Sequence, residues 1–136
     1  MIERALTRTA LGASTRVSRR YQKGLPSIPF DDKLIAQAIE RILANARDAM
    51  PTGGILTIST AWDENHVLIS IRDTGKGIPE VELPHVLEPF VTDKTRGLGL
   101  GLAITRDLVR AHGGSLFVRS PEGKGTEFVI RLPRAP

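Results

Sequence analysis

The sequence contains no cysteine. Disulfides, thiol catalysis and cysteine-type zinc sites are therefore excluded. No apolar run reaches the roughly 18 residues that a membrane helix needs. The opening Met1-Ile-Glu-Arg-Ala-Leu-Thr-Arg8 also lacks the apolar centre of a signal peptide. Aromatics are scarce, with one Trp, one Tyr and four Phe, which leaves little to stack on nucleic-acid bases. What remains is ordinary for a globular chain: 136 residues, 40% hydrophobic and 25% charged, the size of one domain.

The sequence pI is near 10.0, but the basicity is local. Residues 1–24 hold six basic side chains against Glu3, a net +5, whereas residues 25–136 hold 13 basic and 14 acidic, a net −1. The N-terminal charge fits a docking surface or simply a solvated helix face and strand. Nucleic-acid binding is disfavoured, because the basic charge avoids the part of the chain that carries the motifs below.

Residues 2–11 have helical composition, and Thr15 to Tyr21 alternates as an exposed or edge strand. After the proline-containing connector 24–29, Asp31 or Asp32 is placed to cap a helix running to about Met50. Ile55–Trp62 and Val67–Arg72 alternate as a hairpin, residues 80–88 read as a short helix, and Leu100 to His112 reads as a second core helix. Ser115–Arg119 and Glu127–Leu132 form a second hairpin around Pro121-Glu-Gly-Lys-Gly125. This order predicts an α+β two-layer sandwich: a mixed sheet of about five strands, covered on one face by about three helices.

Three local features point to ligand chemistry. On the 31–50 helix, with Leu34 at zero, Asn45, Arg41 and Asp48 fall near 20°, 340° and 320°, beside an apolar arc centred near 90°. They form a polar stripe that either lines a pocket or is a solvated helix edge. Glu40 and Arg47 fall on the far side and read as surface residues. Next, Asp73-Thr-Gly-Lys-Gly-Ile-Pro79 follows an apolar strand. A carboxylate there accepts hydrogen bonds from an exocyclic amine such as that of adenine, and the two glycines admit a flat ring; a plain turn is the other reading. Finally, Arg96-Gly-Leu-Gly-Leu-Gly-Leu-Ala-Ile104 exposes successive backbone N–H groups before a helix, an arrangement that cradles phosphate, with Lys94 and Arg96 just upstream. Neither the common phosphate loop nor the dinucleotide G-x-G-x-x-G motif is present. His66, His85 and His112 have no metal-type spacing and read as structural.

Taken in order, these motifs resemble the catalytic and ATP-binding domain of sensor histidine kinases. Its superfamily includes DNA gyrase, the large heat-shock chaperones and the MutL mismatch-repair proteins. Ile42-Leu-Ala-Asn-Ala-Arg-Asp-Ala-Met50 is similar to the family's asparagine box, and Asp73–Pro79 to its first glycine box. Glu88-Pro-Phe-Val-Thr-Asp-Lys94 is similar to the phenylalanine box, Gly97–Ile104 to the second glycine box, and Gly123-Lys-Gly-Thr-Glu-Phe128 to the closing element. The resemblance covers about residues 30–133, with 1–29 as leading helix and first strand of the same domain and 134–136 as a tail. It implies the Bergerat-type ATP-binding fold.

It also implies ATP and Mg²⁺ as cofactors. Asn45 would be the metal ligand and Asp73 the adenine-reading carboxylate, with Gly75, Gly77 and Ile78 against the ring and Thr126 supporting it. Lys94, Arg96 and the segment Gly97, Leu98, Gly99, Leu100, Gly101 and Leu102 would meet the phosphates, with Lys94 and Asn45 as the catalytic pair. Phe90 would pack the lid and Asp48 would line the pocket. Many relatives carry a second Asn where Arg41 stands here, and the lid between Phe90 and Gly97 is short.

The function implied is donation of the ATP γ-phosphate to a histidine on a separate two-helix dimerisation domain. No histidine precedes residue 30, so this chain is expected to lack the acceptor and to be one domain of a longer protein. The expected partners are that domain and a response regulator, with no nucleic acid and no membrane contact, for a cytoplasmic domain that is monomeric when isolated. The alternatives are a degenerate domain that only binds nucleotide, and a conformational ATPase. Hydrolysing relatives carry Glu at the position of Arg41, which disfavours the latter. A Ser/Thr kinase of the anti-sigma type is disfavoured by the phenylalanine box.

Overall fold

The computed structural model describes residues 1–26, 31–87 and 100–134. Within these residues three α-helices and five strands run in the order α1 (Ile2–Arg8), β1 (Thr15–Tyr21), α2 (Asp32–Ala49), β2 (Gly54–Trp62), β3 (His66–Asp73), α3 (Leu100–Ala111), β4 (Ser115–Arg119) and β5 (Thr126–Pro133). They form one mixed sheet of order β1-β2-β3-β5-β4, in which β1 lies parallel to β2 and every other pairing is antiparallel. This is the expected two-layer α+β sandwich.

Local chemistry accounts for the elements. Asp31 caps α2, its Oδ1 accepting from the N–H groups of Lys33 at 3.0 Å and Leu34 at 3.2 Å. The apolar stripe of α2 then buries Ile35, Ala38, Ile39, Ile42, Leu43 and Ala46. Opposite it, alternate residues of the strands (Leu56, Ile58, Ile69, Ile71, Phe128, Ile130) complete one core. Each such side chain contributes about 1.5–3 kcal/mol by leaving water. The leading segment belongs to this core: Ala5 and Leu6 of α1 are buried in it, and Val17 of β1 packs against it. The Glu3 carboxylate accepts from Arg19 Nε at 2.9 Å and from the Tyr21 hydroxyl at 2.6 Å, tying α1 to β1.

One element departs from expectation. Residues 80–87 are not an α-helix; only Leu83–His85 closes a single 3₁₀ turn. Pro84 removes a backbone donor, so α-helical pairing cannot propagate through it. His66, expected in the hairpin turn, begins β3 instead, with its Nδ1 3.3 Å from an Arg131 guanidinium nitrogen.

Candidate functional site

β3 ends at Asp73, whose position in the alternation turns it toward the helices. The residue is 1% exposed. In register it sits between Leu56 of β2 and Thr126 of β5, and Thr126 is 3% exposed. Burial pushes the Asp73 carboxyl above its ordinary pKa, while the backbone N–H groups of Gly75 and Thr126 pull the other way. Gly75 N–H donates to Oδ1 at 2.8 Å. A buried acceptor held by main-chain donors at a strand end suits recognition of a ligand amine better than proton transfer.

The loop after Asp73 is clamped from two sides. Toward α2, Lys76 N–H donates to the Ala49 carbonyl at 3.1 Å. A Cβ on Gly75 would strike that same carbonyl oxygen, so only glycine lets the loop lie against the helix end. Toward the β4–β5 turn, the Ser120 hydroxyl is the junction. It accepts from Ile78 N–H at 2.8 Å, donates to the Gly125 carbonyl, and lies 3.2 Å from Thr126 Oγ1. Gly125 has φ +75°, and a Cβ there would meet the Asp73 carbonyl oxygen. Ser120 was absent from the residues named from sequence. No local pattern marks it, because its partners lie 42 residues upstream at Ile78 and only a few residues downstream.

The structure thus brings Asp73, Gly75, Gly77, Ile78 and Thr126 together. It sets Ala49 of α2 against them, and Asn45 lies one helical turn back from Ala49. Asn45 is half-buried and Arg41, a further turn back, is exposed. Leu102 of α3 is buried in the core. Asp48 is exposed, 3.1 Å from Arg47 Nε, and lines a hollow with Ala13, Ser14 and Thr52 on the α1–β1 side. Leu100 and Gly101 open the backbone of α3. Phe90, Lys94, Arg96, Gly97, Leu98 and Gly99 lie outside the described residues. A cleft of about 720 Å³ flanks the loop on the side away from α2, between Ile78, Leu83, Val118 and Pro121. Among the described residues, no group of three or more His, Asp or Glu is arranged to hold a metal. Among them, too, no helix is long and apolar enough to cross a membrane.

A mixed sheet under three helices, with a buried carboxylate at a strand end and a glycine loop clamped beside a helix, defines a nucleotide-binding α+β sandwich. The family profile described as histidine kinase-, DNA gyrase B- and HSP90-like ATPase matches residues 30–136. Sporulation kinase E of Bacillus subtilis is 43% identical over 110 residues, covering 80% of this chain and 15% of that protein. Sensor histidine kinase ZraS of Escherichia coli K12 is 37% identical over 109 residues, covering 80% and 23%. Among solved structures, the mycobacterial sensor histidine kinase MprB superposes with TM-score 0.81 at 30% identity, covering 99% of this chain and 93% of that one. Full-length ShkA in complex with AMPPNP gives TM-score 0.77 at 29% identity, covering 88% and 25%. This chain belongs to the histidine kinase-, gyrase B- and HSP90-like ATPase family, and within it to the ATP-binding catalytic domains of sensor histidine kinases. It spans only 15–24% of the length of the two curated sporulation kinases, E and C, that it matches.

Proposed function

We propose that this domain binds Mg-ATP with the adenine amine on Asp73 and offers the γ-phosphate to a histidine imidazole carried by a separate helical dimerisation domain. The observation that carries the reading is the Asp73 carboxylate, 1% exposed and braced by Gly75 N–H at 2.8 Å. A carboxylate is buried at a cost unless a partner repays it, and the adjoining glycines hold the loop beside it, Gly75 against the Ala49 carbonyl and Gly77 against Ser120.

The donor set suits magnesium. The ion takes oxygen ligands, with few from protein and the rest from phosphates and water. Asn45 supplies an amide oxygen on a half-buried helix turn, and its side chain has no hydrogen-bond partner among the described residues. When bound, the ion would neutralise charge on the phosphates. Lys94 and the main chain of Gly97–Gly101 are assigned to the phosphates on their motif, Phe90 to packing the lid, and Asp48 to the pocket rim.

The reaction breaks the bond between the γ-phosphorus and the β–γ bridging oxygen, as an imidazole nitrogen forms a bond to that phosphorus and ADP departs. The acceptor brings its own nucleophile, so this chain contributes positioning and charge. The phosphohistidine would then pass its phosphoryl group to a response regulator. The domain would work in the cytoplasm, where ATP is found, as a monomer when isolated.

Titration calorimetry with ATP, with and without Mg²⁺, tests the binding. Labelled ATP together with a two-helix domain bearing the acceptor histidine tests the transfer. Failure to bind ATP under either condition would overturn the reading.

A further inference from the structure

Among the described residues, the helices cover one face of the sheet and leave the other to solvent. Strand alternation and register place Arg16 and Arg20 of β1, Arg72 of β3, Arg119 of β4 and Arg131 of β5 on this open face. Facing them is a single carboxylate on the strands, Glu127. That carboxylate is already engaged: it accepts from Arg119 at 2.7 Å and from the Ser70 hydroxyl at 2.9 Å. Although partial burial works to raise its pKa, these two donors and the nearby Arg72 hold it below the usual value.

Arg16 and Arg20 are exposed and have no ion pair or hydrogen bond from their side chains among the described residues. Lys124 joins Arg72 and Arg119 around a notch of about 190 Å³. On the edge strand β4, between the register positions of Arg131 and Arg119 and at the far edge from Arg16 and Arg20, stands Phe117, 48% exposed and paired with the half-buried Val129. A large aromatic held out in water on a sheet face contributes nothing to the core.

We infer that this open face is a docking surface for an acidic protein, one that presents carboxylates around an apolar side chain seated on Phe117. Charge complementarity selects the occupant. Arginine forks bind carboxylates in bidentate pairs, and arginine with aromatics is the composition enriched where proteins meet. A bilayer would meet a twisted sheet with the Glu127 carboxylate among its arginines. Among the described residues of this face, single-stranded nucleic acid would find one aromatic to stack on, Phe117. The surface lies on the opposite side of the sheet from Asp73, so a bound partner would leave the nucleotide loop uncovered.

The test uses isotope-labelled chain and amide chemical shifts. The probe is a synthetic peptide with three glutamates on each side of a leucine; phosphatidylserine vesicles and single-stranded DNA serve as competitors. The expected result is shifts confined to the strands around Arg72, Phe117 and Val129. Affinity should fall about tenfold in the double variant Arg72→Ala/Arg131→Ala, and rise about threefold in Glu127→Gln, which frees Arg119. A purely structural Glu127 would give no such gain. Absent shifts, shifts on the helices, unchanged affinity in either variant, or tighter binding to vesicles or DNA would each overturn the inference.

Discussion

Replacing Asp73 by Asn separates what this residue does for the fold from what it does for a ligand. The side chain keeps its size, and its remaining oxygen can still accept from Gly75 N–H, now at 2.8 Å from Oδ1. The acceptor charge for an adenine amine is lost. A hydrogen bond to a charged group is worth about 1.5–3 kcal/mol, which at about 1.4 kcal/mol per tenfold weakens ATP binding roughly 10- to 150-fold. Stability moves the other way. Burial holds the folded-state pKa above the ordinary 3.8, so the unfolded chain gives up this proton at lower pH than the folded one. Below that ordinary value both states are protonated and there is no charge cost. As pH rises through the folded pKa, the wild type alone loses stability. Asp73→Asn should therefore melt no lower than wild type at pH 7, with any gain disappearing toward pH 4. Calorimetric titration with ATP and thermal melts across this range check both arms. Wild-type affinity in a folded Asp73→Asn protein, or a melting temperature well below wild type at neutral pH, would refute the reasoning.

Gly75→Ala drives a methyl into the Ala49 carbonyl; overpacking of this kind costs about 1–3 kcal/mol and should appear in urea unfolding together with weaker ATP binding. Ser120→Ala leaves Ile78 N–H without its acceptor at 2.8 Å, a loss of about 1–3 kcal/mol, and by loosening the loop should also weaken ATP; an unchanged dissociation constant would show that the clamp is dispensable. Arg41 lies one turn from Asn45 and is exposed, so Arg41→Ala should weaken ATP up to about fivefold, the scale of an exposed ion pair, while adenosine binds as before; equal effects on both ligands would remove Arg41 from the phosphate end. Incubated alone with γ-labelled ATP, the chain should acquire no acid-labile phosphate, because His66 starts a strand, His85 sits in a short 3₁₀ turn and His112 is bonded to the Leu108 carbonyl at 2.7 Å; stable label on this chain would contradict that.

Periodicity and motif order determined most of the fold. The stripe from Leu34 to Met50, the cap at Asp31 and the alternation of Leu56–Thr60, Val67–Ile71 and Phe128–Leu132 are local signals, and each element formed where its period placed it. Asp73 likewise stands at the strand end, whereas Gly75 and Gly77 pack against Ala49 and Ser120, contacts that the ring reading of the motif did not include. The turn at 83–85 was a local failure: residues 80–88 read as a short helix, but Pro84 lacks the donor that a helix needs there.

Other features depend on residues distant in sequence. That β1 runs parallel to β2, and that Asp73 stands beside Thr126, follow from burying one side of every strand against α2 and α3, a condition no window of sequence contains. The Ser120 clamp likewise needs the β4–β5 turn brought under the 73–78 loop. The split of charge along the chain marked the N-terminal arginines as basic. Only the sheet register gathers Arg16 and Arg20 with Arg72, Arg119 and Arg131 on one face. Local order follows from the backbone's own periods, whereas shared surfaces exist only once the core has chosen which side of each strand to bury.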